Sequence, residues 1–106
     1  MTHSTENLFV LIVKYIRPAA EVEARRLEHR EWLDVYYRSG QFLVSGPQVP
    51  RDGGIILAKG GTREEWQKTT LEDPFVIAGV AEYEVIEFEP VKRHPTLDLP
   101  GVAAVE

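Results

Sequence analysis

The tightest constraint on this chain is a strand with no polar side. Leu8–Ile16 reads LFVLIVKYI, short, β-branched and broken by a single lysine, the signature of a buried strand. Side chains alternate along a strand, so Leu8, Val10 and Ile12 point one way while Phe9, Leu11 and Val13 point the other. Two later segments repeat the pattern. In Gln41–Gln48, Phe42 and Val44 oppose Leu43; in Gly54–Lys59, Ile55 and Leu57 oppose Ile56 and Ala58. A sheet wetted on one face alternates apolar with polar residues, and these strands do not. A lone copy would leave one apolar set bare. Half a dozen such side chains at about 1.5–3 kcal/mol each represent roughly 10 kcal/mol of forgone burial. That compares with the whole stability of a small domain, about 5–15 kcal/mol. No spare segment of the chain is long enough to cover the face, so the pattern predicts a homodimer or a higher homo-oligomer.

The remaining elements follow from punctuation. Pro18–Ser39 reads as one helix rich in Glu, Ala, Arg and Leu, with Gly40 as its stop. On the helical wheel Val22, Trp32, Leu33 and Tyr36 fall within about 60° of His29, an inward stripe. Glu23, Glu31, Asp34 and Arg38 lie opposite, in solvent, although Ala20, Leu27 and Val35 fall there too. Val49–Gly53 is a turn whose shortness makes the flanking strands a hairpin. Thr62 with Glu65 forms a capping box that opens a helix through about Leu71. Asp73-Pro74 places Asp at an N-cap and Pro at the first helical position of a short run to Gly79. Val80–Glu89 is the last strand, closed by Pro90. The order is βαββαβ. Right-handed crossovers then give an α+β, ferredoxin-like domain, with an antiparallel four-stranded sheet and both helices on one face. Residues 1–90 form this single domain; 91–106 are a C-terminal extension in which Pro95, Pro100 and Gly101 argue against regular structure.

Composition removes several function classes. With no cysteine among 106 residues, disulfides, thiolate nucleophiles and Cys-ligated zinc are excluded. The net charge of −5 without a basic cluster argues against nucleic acid. No apolar run reaches membrane-spanning length, and Met1–Asn7 lacks the basic and apolar regions of an export signal, so a cytoplasmic protein is expected. His3, His29 and His94 have no metal-ligand spacing. The Gly53-Gly54 and Gly60-Gly61 pairs are turns, not phosphate loops. No metal and no cofactor is expected.

His29 stands out as the one histidine inside a predicted element, in the middle of the inward stripe. It reads either as a core histidine with satisfied ring nitrogens or as a general acid or base that titrates near neutrality. Asp73 reads as an ordinary N-cap, yet one carboxylate oxygen can cap while the other accepts from an imidazole N–H. Ser45-Gly46-Pro47 ends a strand. It is either a turn or a place where a ligand approaches bare backbone, and Ser45 lacks the flanking pattern of a nucleophile elbow. Trp32, with Tyr36 and Tyr37, belongs to the core or walls a pocket.

Taken in order, His29-x-x-Trp32-Leu33, Gly40, Ser45-Gly46-Pro47, Gly53-Gly54, Glu64-Glu65 and Asp73-Pro74-Phe75 with Gly79 resemble the YCII-related family. The likeness runs from about Leu8 to Phe88. It implies a dimeric α+β barrel, two four-stranded sheets packed face to face, with a pocket where a histidine and an aspartate meet. Those roles carry onto His29 and Asp73. Members resemble lyases, isomerases or hydrolases. The expected activity is proton transfer by His29, oriented by Asp73, on a small cyclic or aromatic molecule held by Trp32, Ser45, Gly46 and Pro47. A non-catalytic module binding a metabolite or another protein, and a cofactorless oxygenase, remain as alternatives.

Overall fold

The computed structural model of the chain describes residues 6–105. Met1–Thr5, and with them His3 and most of the N-terminal segment, lie outside the described residues, as does Glu106. Four strands form one sheet: β1 (Leu8–Tyr15), β2 (Phe42–Pro47), β3 (Gly53–Lys59) and β4 (Ala81–Phe88). Their order is β2-β3-β1-β4, and every pairing is antiparallel. This is the ferredoxin-like α+β arrangement expected of a βαββαβ chain. Helices α1 (Ala19–Glu23), α2 (Arg26–Arg38), α3 (Arg63–Thr69) and α4 (Pro74–Ile77) supply Val22, Trp66 and Phe75 to a core shared with Phe9, Leu11 and Val13. Both helical layers therefore cover the Phe9 side of the sheet. Among the described residues no helix is long and apolar enough to cross a membrane.

Three local features differ from the sequence pattern. The helix expected over Pro18–Ser39 is two. Arg25 takes φ −113° and ψ 3°, and its N–H bonds Val22 O, three residues back, rather than the fourth, so the turn tightens and α2 starts afresh. The second is in β2. Phe42 pairs with Ala58, but Val44 pairs with Leu57, so Leu43 is an extra residue, a β-bulge. Phe42 and Val44 therefore do not share a face as strict alternation would have it: Phe42 is buried and Val44 is 60% exposed on the far side. The third is the C-terminal segment, which is not without regular structure. Lys92–Arg93 (β5) and Ala103–Ala104 (β6) pair in parallel. Arg93 closes the loop between them by donating from Nε to Val102 O at 2.9 Å and from Nη1 to Leu97 O at 2.8 Å.

The outer face of the sheet carries the apolar patch that the strand pattern predicts, bordered by Lys14, Lys59, Glu82 and Glu84. Leu8, Val10 and Ile12 stand beside Leu57 and Ile55 of β3 and Phe88 and Ile86 of β4. The tail does supply some cover within the chain: Leu8 is buried and lines one narrow crevice with Pro90, Leu99 and Val102. The rest stays open, with Ile86 and Phe88 near 40% exposed.

Candidate functional site

The site begins at the start of α4. Asp73 is its N-cap, and Oδ1 accepts the Phe75 N–H at 2.9 Å. This anchors a fully buried carboxylate at the edge of the helical layer. Helix α2 brings His29 to it from 44 residues away. Nδ1 lies 2.9 Å from Oδ1 and 2.8 Å from Oδ2. A carboxylate only accepts, so Nδ1–H donates, and the neutral imidazole then carries its free lone pair on Nε2. The ring lies flat on Phe75, with centroids 4.0 Å apart and planes 8° from parallel, so it cannot swing away without losing that contact.

A third donor completes the arrangement. The Tyr83 hydroxyl, on β4, donates to Asp73 Oδ2. Burial raises the Tyr83 pKa far above the ordinary phenol range, and the neighbouring Asp73 charge raises it further. The phenol therefore stays neutral and keeps donating. Three donors converge on two oxygens, which fixes both the position of Asp73 and the tautomer of His29.

In front of His29 lies a cavity of about 270 Å³. The bulge at Leu43 explains one wall. It turns Ser45, paired with Ile56, to the helix side of the sheet, where its hydroxyl is hydrogen-bonded to that of Tyr37. Strict alternation from Phe42 would have pointed Ser45 away. Ser45, Gly46 and Pro47 all line the cavity with His29, so the structure brings these four sequence candidates together. Asp73 stands behind the imidazole. Trp32 is not among the lining residues. Its ring centroid is 6.4 Å from that of His29, and it packs edge-on against Phe42 and Tyr36 in the aromatic core.

Reading the sequence missed three cations and two phenols. Arg26, Arg30 and Arg51 line the cavity, with Tyr15. Arg26 bonds Glu23, at 2.9 Å from Nε to Oε2, and lies over the Phe75 ring. Burial pulls the Arg26 pKa down, but hydrogen bonds to Glu23 and Tyr15 outweigh it, and the net shift is upward. The signal for Tyr83 was present: Ala81, Tyr83 and Val85 alternate with Glu82 and Glu84 in β4, which puts the phenol on the helix side. Arg26 falls about 60° from His29 on the wheel, at the edge of the inward stripe, whereas Arg51 gave no signal because it reaches the site from the β2–β3 turn. Among the described residues no group of three or more His, Cys, Asp or Glu side chains could hold a metal ion.

Comparison with known proteins gives the family and the fold. No curated protein sequence matches the chain. Among solved structures, it is similar to 5-chloro-2-hydroxyhydroquinone dehydrochlorinase (TftG) from Burkholderia phenoliruptrix AC1100, in complex with 2,5-dihydroxybenzoquinone. The TM-score is 0.60 at 19% identity, covering 78% of this chain and 94% of that one, a likeness of fold. The YCII-related domain family matches residues 8–89, which takes in all four strands of the sheet together with His29 and Asp73, and the chain belongs to that family.

Proposed function

We propose that this chain is a cofactor-independent enzyme that moves a proton on a small ring-shaped substrate, in an elimination, isomerisation or hydrolysis. The observation that carries the reading is the division of labour on one imidazole. Nδ1–H is committed to Asp73, and Nε2 is the nitrogen left for the cavity. Nε2 takes the proton from the substrate as the bond to the leaving group or the shifting double bond accepts the electrons. It then returns that proton to product or water. Asp73 stabilises the imidazolium that forms between these steps without taking the proton itself. The Ser45 hydroxyl and the Gly46 backbone border the substrate space.

Elimination is the first reaction to test, because the structurally similar TftG is a dehydrochlorinase whose bound molecule is an oxygenated six-membered ring. Chloride release from 5-chloro-2-hydroxyhydroquinone and from related halogenated hydroxyarenes is the assay. His29→Ala is expected to lose about 10²–10⁴-fold in rate on any substrate found. Full activity in that variant refutes the mechanism. Thermal stabilisation by ligands without turnover would point instead to a binding module, and oxygen uptake with phenols to an oxygenase.

We also propose that the working unit is a homodimer whose two sheets pack outer face to outer face. Val10, Ile12, Leu57 and Ile86 are then buried at the shared layer. The support is the apolar patch of Val10, Ile12, Ile55, Leu57, Ile86 and Phe88 on the outer surface of a sheet whose other side already carries the whole helical layer.

A further inference from the structure

The cavity reverses the charge of the molecule around it. The chain holds 17 acidic and 12 basic residues, yet among the described residues three arginines and no Asp or Glu line the space in front of His29. Arg26 is engaged by Glu23. The side chains of Arg30 and Arg51 have no hydrogen bond or ion pair to any described residue. One stands on α2, a single position beyond His29, and the other on the β2–β3 turn, so they approach the cavity from different elements. Unpaired guanidiniums at a concave site are planar donors without an acceptor, and the group that matches them is a planar oxyanion.

We infer that the site takes a ring carboxylate, with Arg30 and Arg51 holding the carboxylate and the ring lying over the Ser45–Pro47 wall toward His29. This rests on the reading of the cavity as a substrate site and names the substrate class for it. The volume, about 270 Å³, is at the lower limit of ordinary ligand pockets and suits one ring rather than two. The apolar lining from Val13, Ile56 and Phe75 fits the ring, while the arginines fit its charge.

The test compares benzoate with benzamide, equal in size and shape but different in charge, by calorimetry and by ring-proton shifts of His29 at low ionic strength. Benzoate is expected to bind and to move the His29 signals, and benzamide to do neither. Arg30→Gln and Arg51→Gln should each weaken benzoate about tenfold, and the double variant about a hundredfold. Both side chains are exposed, so the fold tolerates the changes. Arg38→Gln, at the far end of α2, should leave affinity unchanged. Added salt should weaken benzoate steadily. Equal binding of the two probes, no binding of either, or full affinity in the double variant overturns the inference. The rate of His29→Ala tests the proton-transfer reading, and the benzoate affinity of the two arginine variants tests the anion site. Loss of the proton-transfer reading and loss of the anion site are therefore separate outcomes.

Discussion

Replacing Ile86 with Glu places a charge on the open apolar patch, between Val10 and Phe88, and the consequence can be worked out. Ile86 is 41% exposed in the single chain and pairs with Val10 across β4 and β1. Full burial of an isoleucine stabilises by about 1.5–3 kcal/mol. The part still open is therefore worth about 1 kcal/mol per copy, and about 2 kcal/mol for a symmetric pair. A carboxylate forced into the same interface costs several kcal/mol in desolvation unless it finds a cation. Taking about 2 kcal/mol per copy, the total is near 6 kcal/mol, or about 10⁴-fold in dissociation constant. The isolated domain should be unharmed, because the side chain points away from the core around Phe9 and Leu11. Sedimentation velocity at micromolar concentration reads the result against the 12.0 kDa chain mass. Wild type should sediment as two copies and Ile86→Glu as one, with unchanged circular dichroism. Wild type running as a single folded chain, or Ile86→Glu running as two, refutes the reasoning.

Two further predictions concern Asp73 and its donors. The raised pKa of Tyr83 means that the folded protein keeps a proton the unfolded chain releases above about pH 10. Stability is therefore complete below that pH and falls as pH rises beyond it. In Tyr83→Phe the alkaline loss should be shallower and neutral stability lower by about 1.5–3 kcal/mol, read by urea unfolding between about pH 7 and 11. Asp73→Asn keeps the shape but leaves one acceptor for three donors. It should cost about 1–3 kcal/mol, a melting temperature lower by roughly 5–15 °C. It should also abolish any activity that depends on Nε2 as a base, since the amide N–H can donate to Nδ1 and drive the proton to Nε2.

How far the sequence spoke depended on the range of the interactions that decide each feature. Strand identity and the two-faced sheet were legible because a short β-branched run without polar alternation, as in Leu8–Val13, is a local signal. His29 and Asp73 were legible because each sits at a punctuated position, one in the middle of an apolar stripe and the other before a proline. The bulge at Leu43 was not, because β2 acquires it only from its pairing with β3. Without the bulge the inward direction of Ser45 was hidden too. The break at Arg25 carries no glycine or proline to announce it. Arg51 belongs to a turn, where periodicity says nothing about direction. Trp32 shared the stripe of His29, but one position on the wheel does not separate a cavity wall from an aromatic core. The parallel β5–β6 pairing depends on Arg93 reaching Val102 and Leu97, contacts that the prolines of the tail concealed.

The most direct measurement is the tautomer of the neutral His29 ring, observed by ¹⁵N-resolved NMR of the wild-type protein. If Asp73 holds Nδ1–H and the cavity receives a bare Nε2, the ring proton will be found on Nδ1, coupled to a strongly downfield hydrogen-bonded signal. A proton resident on Nε2 would leave the proposed base with no lone pair facing the substrate, and the account would fail.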